Sequence, residues 1–195
     1  SQLYYGLNWL PILIQEANLA HNTAGTLTLT PTSRKLLNDE SHVILKRIWD
    51  KWLTAARFDE FSRVEDIKGQ RAKGSKHMTD PTGRRSVIAS ALADLPIGEW
   101  IGFDEFCRYM RVKDYDFVVS NSAWKLYIAD SSYGRLDSFG YWEIIEGRYL
   151  MAFLMEYTAT LGMIDIAYTE PFFVKMDYKN VWGLDDLEYI SRYDG

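Results

Sequence analysis

The stretch Thr26-Leu27-Thr28-Leu29-Thr30-Pro31-Thr32-Ser33-Arg34-Lys35-Leu36-Leu37 belongs to a structural unit that the chain shows in two incomplete copies. Leucine alternates with threonine over residues 26–30, which predicts a strand with one buried face. Pro31 follows, and proline is favoured in the first turn of a helix. Upstream, Asn22–Gly25 predicts a turn, and Leu3–Ala17 predicts helix on both sides of a break at its proline. The order is helix, turn, strand and helix.

The second copy lies in the C-terminal part of the chain. A long helix is predicted from Phe139 to Leu161, and Gly162 is its expected C-terminal stop. After it, Ile164, Ile166 and Tyr168 alternate with other residues, which predicts another short strand. The helix residues expected to face a core are Trp142, Ile145, Tyr149, Phe153, Leu154, Tyr157 and Leu161.

Three further helices are predicted between the two copies. Val43–Ala55 has an apolar stripe and charged residues elsewhere, which is typical of a helix packed on a core. Asp80 and Pro81 predict the capped start of a helix that runs to about Asp94. Phe103, Phe106, Cys107 and Met110 then recur at helical spacing, so a second helix follows a tight turn over Leu95–Ile101. Two short helices joined in this way favour a helix-turn-helix.

The pattern predicts a mainly α fold with short β-hairpins, of the α+β class, built from tandem winged-helix or helix-turn-helix units. Residues 1–67 form a partial winged-helix unit and its following amphipathic helix. Residues 68–79 form a basic linker, within a polar loop that extends over Ile67–Arg85. Residues 80–195 form the second unit, which ends after the first strand of its hairpin, or wing, so the chain looks like a fragment. Trp124–Ile128 is a candidate strand and Ser131–Ser138 a candidate loop.

Charge is divided unevenly along the 195 residues. Residues 1–98 carry 13 Lys/Arg and 10 Asp/Glu, whereas residues 99–195 carry 9 and 17, which gives +3 and −8 within a net charge of −5. Phosphate attraction depends on local positive patches, so only the first half is expected to supply one. Six basic residues face one acid, Asp80, between positions 68 and 85. Those candidate nucleic-acid contacts are Lys68, Arg71, Lys73, Lys76, Arg84 and Arg85.

Arg108 and Arg111 complete the candidate DNA-binding set, because they lie on the predicted recognition helix. Acids flank them, and an acidic recognition surface is typical of protein docking. The alternative is therefore a protein-docking module that uses the acidic, aromatic-rich C-terminal half. A third hypothesis, a metal-dependent nuclease, requires Asp50, Asp59 and Asp66 to converge, although Asp59-Glu60 and Glu65-Asp66 fit a solvated face better.

Several sequence segments, taken in their order along the chain, resemble the bacterial tandem winged-helix regions of large helicase-associated proteins, including relatives of excision-repair-type helicases. They are Leu29–Leu37, Arg84–Ile101, Trp142–Arg148 and Leu161–Ile166. The resemblance covers roughly residues 26–195 and implies a DNA-binding or scaffolding part of a larger machine, with other domains or subunits as partners.

The sequence contains neither a Gly-x-x-x-x-Gly-Lys-Ser/Thr loop nor a Gly-x-Gly-x-x-Gly motif, which disfavours ATPase activity. His21, His42 and His77 are not at zinc-ligand spacing with Cys107, so we expect no metal site. With no recognisable cofactor or catalytic motif either, we expect no cofactor and no catalytic residue. Cys107 is the only cysteine, which rules out an intramolecular disulfide and fits a reducing, cytoplasmic location. No apolar run is long enough for a membrane helix, so no membrane association is expected.

Overall fold

The computed structural model describes residues 10–63, 67–69, 71–72, 75–122, 124–128, 136–137 and 142–168. Within them, helices combine with short antiparallel sheets in a mixed α+β fold. The helices are α1 (Leu10–Glu16), α2 (Pro31–Leu36), α3 (Ser41–Leu53), α4 (Pro81–Ala93), α5 (Phe103–Val112) and α6 (Arg148–Ala152), with a 3-10 turn at Glu60–Arg63. The strands are β1 (Ala20–Thr23), β2 (Thr26–Leu29), β3 (Ile67–Lys68), β4 (Arg71–Ala72), β5 (Ser75–Lys76), β6 (Tyr127–Ile128) and β7 (Leu136–Asp137).

The described residues divide into two compact units. One contains residues 10–57 and returns for residues 154–165, and the other contains the described residues of 58–153 and 166–168. This division by contacts lies at different positions from the domain boundaries drawn from the sequence, which stay a prediction.

The first unit opens with α1 and the hairpin β1–β2. The turn places Ala24 at φ 50° and Gly25 at φ 87°, and the Asn22 side chain accepts the Gly25 N–H at 2.8 Å. Two consecutive residues at positive φ match the twist of a two-residue hairpin. The predicted strand is therefore confirmed, but its buried face is wrong: Leu27 is 41 % exposed and Leu29 47 %. The partner strand β1, which lacks alternating apolar residues, was not predicted.

Thr30 joins the hairpin to α2. Its hydroxyl accepts the Ser33 N–H at 3.1 Å and donates to the Asn18 carbonyl at 2.8 Å. Pro31 is the first residue of the helix, where its missing N–H costs nothing. The helix start predicted at Pro31 is confirmed, because proline in the first turn is a local signal.

Helix α3 and residues 154–165 supply aromatic side chains to the core of the first unit. Trp52 and Tyr157 are fully buried and stack at 5.0 Å between ring centroids, with 13° between planes. Leu161 is buried. The helical segment ends at Thr158, three residues before the predicted end at Leu161, and Gly162 at φ 72° lies in the turn that follows.

In the second unit, α4 and α5 match the predicted helix pair. The Asp80 carboxylate accepts the Thr82 N–H at 3.0 Å, which caps α4 as expected. Phe106, Cys107 and Met110 form the buried side of α5. The local capping and periodicity signals were therefore sufficient to locate both helices.

Short strands replace much of the loop predicted over residues 67–85. β3 pairs with β6, β6 pairs with β7, and β4 pairs with β5, all antiparallel. The loop prediction is wrong at these positions and at the start of α4. Tyr127–Ile128 confirms part of the predicted strand at Trp124–Ile128, whereas Leu136–Asp137 is strand where a loop was expected. The rest of Ser131–Ser138 lies outside the described residues.

The last helical segment consists of α6 between two π-helical segments, Glu143–Gly147 and Phe153–Thr158. Its predicted core residues are buried from Ile145 onward, and Trp142 is half-buried. Residues 139–141 lie outside the described part. The strand predicted over Ile164–Tyr168 is not present, and Tyr168 is exposed. Alternation alone was insufficient there, because the described residues include no partner strand for that segment.

Candidate nucleic-acid interface

The predicted basic linker contains a β-hairpin in the structure. Arg71 lies directly opposite Lys76 in the register of β4 and β5. Lys68, in β3, is exposed just before this hairpin. Lys73 lies outside the described residues. Three of the predicted basic positions therefore belong to three short strands that follow each other closely in the chain.

A fourth described basic residue, Lys125, joins this region next to the pairing of β3 with β6. Gly69 has φ 81°, and its Cα approaches the Lys125 backbone so closely that an added Cβ would stand 1.7 Å from the Lys125 carbonyl oxygen. Lys125 itself is exposed. Sequence reasoning missed this residue, because it is far from Lys68 along the chain and no local pattern reports the pairing.

We use the name basic hairpin surface for the basic residues that lie in strands β3, β4 and β5, together with the exposed Lys125. The described members are Lys68, Arg71, Lys76 and Lys125.

Arg84 and Arg85 do not belong to this surface, and their predicted contact with nucleic acid is wrong. Both side chains are almost completely buried. Arg85 donates from Nε to Glu60 Oε1 at 2.6 Å and from Nη2 to the Phe58 carbonyl at 2.9 Å. Arg84 pairs with Asp59 and donates to the Thr79 carbonyl at 3.2 Å. These guanidinium groups neutralise buried carboxylates, so they are not available to phosphate.

Tyr149 connects the two ion pairs. Its hydroxyl donates to Glu60 Oε2 at 2.6 Å, and the Arg84 guanidinium lies 4.3 Å from the centroid of its ring. Burial, with the nearby Glu60 carboxylate, raises the pKa of Tyr149 well above its ordinary value, so the hydroxyl remains a donor. The expected solvated face at Asp59-Glu60 is therefore wrong. The sequence contained one signal for this burial. Asp59 and Glu60 lie between two phenylalanines, and the adjacent Arg84 and Arg85 match them in number and carry the opposite charge.

Glu146 contributes another buried carboxyl group to the second unit. Its Oε1 accepts the Val119 N–H at 3.2 Å, and the residue is 5 % exposed. Burial raises the pKa of Glu146, and the Val119 N–H opposes that shift only in part. The carboxyl group organises backbone inside the unit and takes no part in the basic hairpin surface.

The two arginines of α5 have different surroundings. Arg108 is exposed, whereas Arg111 pairs with Glu143 at 3.3 Å with both side chains half exposed. Asp104 and Glu105 share the exposed side of the helix. The net charge of this side is close to zero, so α5 gives phosphate little long-range attraction.

The carboxylates proposed for a nuclease have other partners. Asp50 accepts from Lys46 at 2.8 and 2.9 Å, and Asp59 pairs with Arg84. Asp66 lies outside the described residues. Across the described residues, no group of three or more His, Cys, Asp or Glu side chains is arranged to hold a metal ion. Cys107 is buried in α5.

Comparison with known proteins finds no matching family model, no matching curated protein and no matching solved structure. None of the helices in the described ranges combines the length and apolar character that crossing a bilayer requires.

Proposed function

We propose that this protein is a noncatalytic DNA-binding module of the winged-helix type that serves as an accessory region of a larger bacterial helicase-associated protein. The single observation that carries the proposal is the β4–β5 hairpin, in which two basic residues stand opposite each other. The sequence resemblance described above supports the winged-helix assignment and the larger assembly.

The hairpin register favours an anionic ligand. Like charges directly opposite each other in an antiparallel pair destabilise the pair. Arg71 and Lys76 occupy such positions, and Lys68 and Lys125 add positive charge through β3 and β6. A phosphate backbone replaces this repulsion with attraction and releases condensed counterions. The energetic cost of the bare hairpin is thus recovered when DNA binds.

The proposed contact is with the backbone rather than with base edges. Lysine and arginine side chains are long enough to reach phosphates from a strand pair, and contacts of this kind position a protein without reading sequence. Loss of Arg84 and Arg85 from the interface leaves few cations, so we expect nonspecific dissociation constants of about 10⁻⁴–10⁻⁶ M at physiological salt. Of the two α5 arginines, we retain only the exposed Arg108 as a contact with DNA.

The proposal is tested by binding of labelled double-stranded and single-stranded DNA across a salt series. The test variant combines Lys68→Gln, Arg71→Gln, Lys73→Gln and Lys76→Gln. We expect at least a tenfold loss of affinity at low salt and a flatter salt dependence, by about 0.9 in log–log slope for each phosphate contact removed from duplex DNA.

The control variant removes the same charge elsewhere. Arg34, Lys35, Lys51 and Lys113 are exposed, and their combined replacement by glutamine changes net charge equally. We expect this variant to retain most of the wild-type affinity. Equal losses in the two variants would mean that only net charge matters, and undetectable wild-type binding at low salt would reject DNA binding altogether.

A further inference from the structure

The connection between α4 and α5 exposes two large apolar side chains. Ile97 is fully exposed and Trp100 is 72 % exposed, three positions apart in one loop. Exposed tryptophan is costly to leave in water and is enriched among the residues that dominate protein interfaces. We call residues 94–102 the α4–α5 loop.

The α4–α5 loop is fixed at both ends. At its start, the Tyr115 hydroxyl donates to the Asp94 carboxylate, and this bond raises the pKa of Tyr115 to about 12, so the donor stays protonated at neutral pH. At its end, the Glu105 carboxylate accepts the Gly102 N–H at 3.2 Å. Gly98 lies between the two apolar residues with φ 80°. A loop held in this way loses little conformational entropy when a partner binds.

The charge of the α4–α5 loop and of the first turn of α5 favours a basic partner. Residues 94–107 include four acids and no lysine or arginine. Glu99 is exposed within the loop, and Asp104 and Glu105 are exposed in the first turn of α5, which follows the loop. Carboxylates at this density repel phosphate, and they attract a surface that carries lysine or arginine.

We propose that the α4–α5 loop docks a second protein, which offers an apolar pocket bordered by lysine or arginine side chains, with Trp100 and Ile97 as the anchors. Trp100 enters the pocket, and the carboxylates around it pair with the basic border. This docking uses residues different from those of the basic hairpin surface, so it does not depend on the proposed DNA binding.

The experiment begins with a photoreactive phenylalanine analogue incorporated at Ile97 of the full chain, and crosslinking in cells of the source organism. Each captured protein is then purified, and its dissociation constant is measured with wild type, Trp100→Ala and Trp124→Ala. Trp124 is a matched control because it is 61 % exposed and lies outside the loop. The proposal requires a loss above about tenfold for Trp100→Ala and less than twofold for Trp124→Ala.

A second variant tests the charge argument without removing an apolar anchor. Glu99→Lys reverses one exposed carboxylate, so it should weaken binding most at low salt and progressively less as salt rises. Circular dichroism spectra and unfolding midpoints equal to wild type establish that each variant is folded. Three outcomes overturn the proposal: no captured protein, equal losses for the two tryptophan variants, or tighter binding by Glu99→Lys.

Discussion

Glu146 and Glu60 are both buried carboxyl groups, yet their surroundings differ. Glu60 receives the Arg85 guanidinium and the Tyr149 hydroxyl, each at 2.6 Å. Glu146 receives the Val119 N–H at 3.2 Å, and burial raises its pKa. A raised pKa means that the folded state favours the protonated carboxyl more than the unfolded state does. Ionised Glu146 therefore lowers the free energy of unfolding at neutral pH.

The variant Glu146→Gln tests this reasoning, because its amide oxygen still accepts the Val119 N–H while the charge is removed. We expect the variant to be more stable than wild type at pH 8. As pH falls from neutral towards 4.5, the ordinary value for Glu, the folded wild type takes up its proton before the unfolded chain does, so the difference should shrink. Urea unfolding at several pH values measures it.

Glu99→Gln provides the control for that experiment, because Glu99 is exposed. Its effect should remain within about 0.5 kcal/mol. A Glu146→Gln variant that is less stable than wild type at pH 8, with the gap widening as pH rises, would show that the ionised carboxyl stabilises the fold.

At the residue scale, the sequence identified charged positions but not their environment. Arg84 and Arg85 occur in the same basic segment as Lys68 and Lys76, and composition alone does not distinguish buried from exposed residues among these four. Only the position on α4 separates them, because that helix directs the two arginines towards Asp59 and Glu60. Burial of a charge depends on a partner elsewhere in the chain, and local patterns do not report that partner.

At the element scale, the approach of Gly69 to Lys125 determines where β3 meets β6. Gly69→Ala would place a Cβ 1.7 Å from the Lys125 carbonyl oxygen, on a residue that is also at positive φ. The backbone must move to relieve this clash, so we expect a loss of more than about 2 kcal/mol in the free energy of unfolding. Denaturant titration measures the loss.

Gly83→Ala is the matched control, because nothing lies within 4 Å of the added Cβ in α4. Alanine is the better helix former, so this variant should gain up to about 1 kcal/mol. If Gly69→Ala were as stable as wild type, the pairing of β3 with β6 would not require the close approach.

Helices were predictable to the extent that their signals are local. Pro31, the Asp80 cap and the apolar spacing of α5 predicted helix starts and a buried face that the structure confirms. Two-residue strands have no such signal, since their pairing partners are distant. The Ile164–Tyr168 segment shows that an alternating pattern alone is not sufficient. It has no partner strand among the described residues, and it does not form a strand.

For the whole molecule, the stack of Tyr157 on Trp52 predicts how stability is distributed. Both rings are fully buried within the first unit. Tyr157→Ala should cost about 3–5 kcal/mol, as truncation of a buried aromatic side chain usually does. Hydrogen exchange should accelerate in peptides from residues 10–57 more than in peptides from residues 75–122.

Tyr168→Ala serves as the comparison, because Tyr168 is 69 % exposed. It should leave exchange unchanged in both groups of peptides. Equal acceleration of both groups by Tyr157→Ala would indicate that the whole chain unfolds in a single cooperative step.

The division of the first unit into residues 10–57 and 154–165 also has a consequence for biosynthesis. During synthesis the N-terminal part of this unit leaves the ribosome early, but Tyr157 leaves the exit tunnel only after residues 58–153 of the second unit have been made. Throughout that interval Trp52 lacks the Tyr157 ring on which it stacks in the folded unit. The unit whose synthesis begins first therefore stays incomplete until residues 154–165 have emerged, and a chaperone that shields its apolar surface would act during this delay.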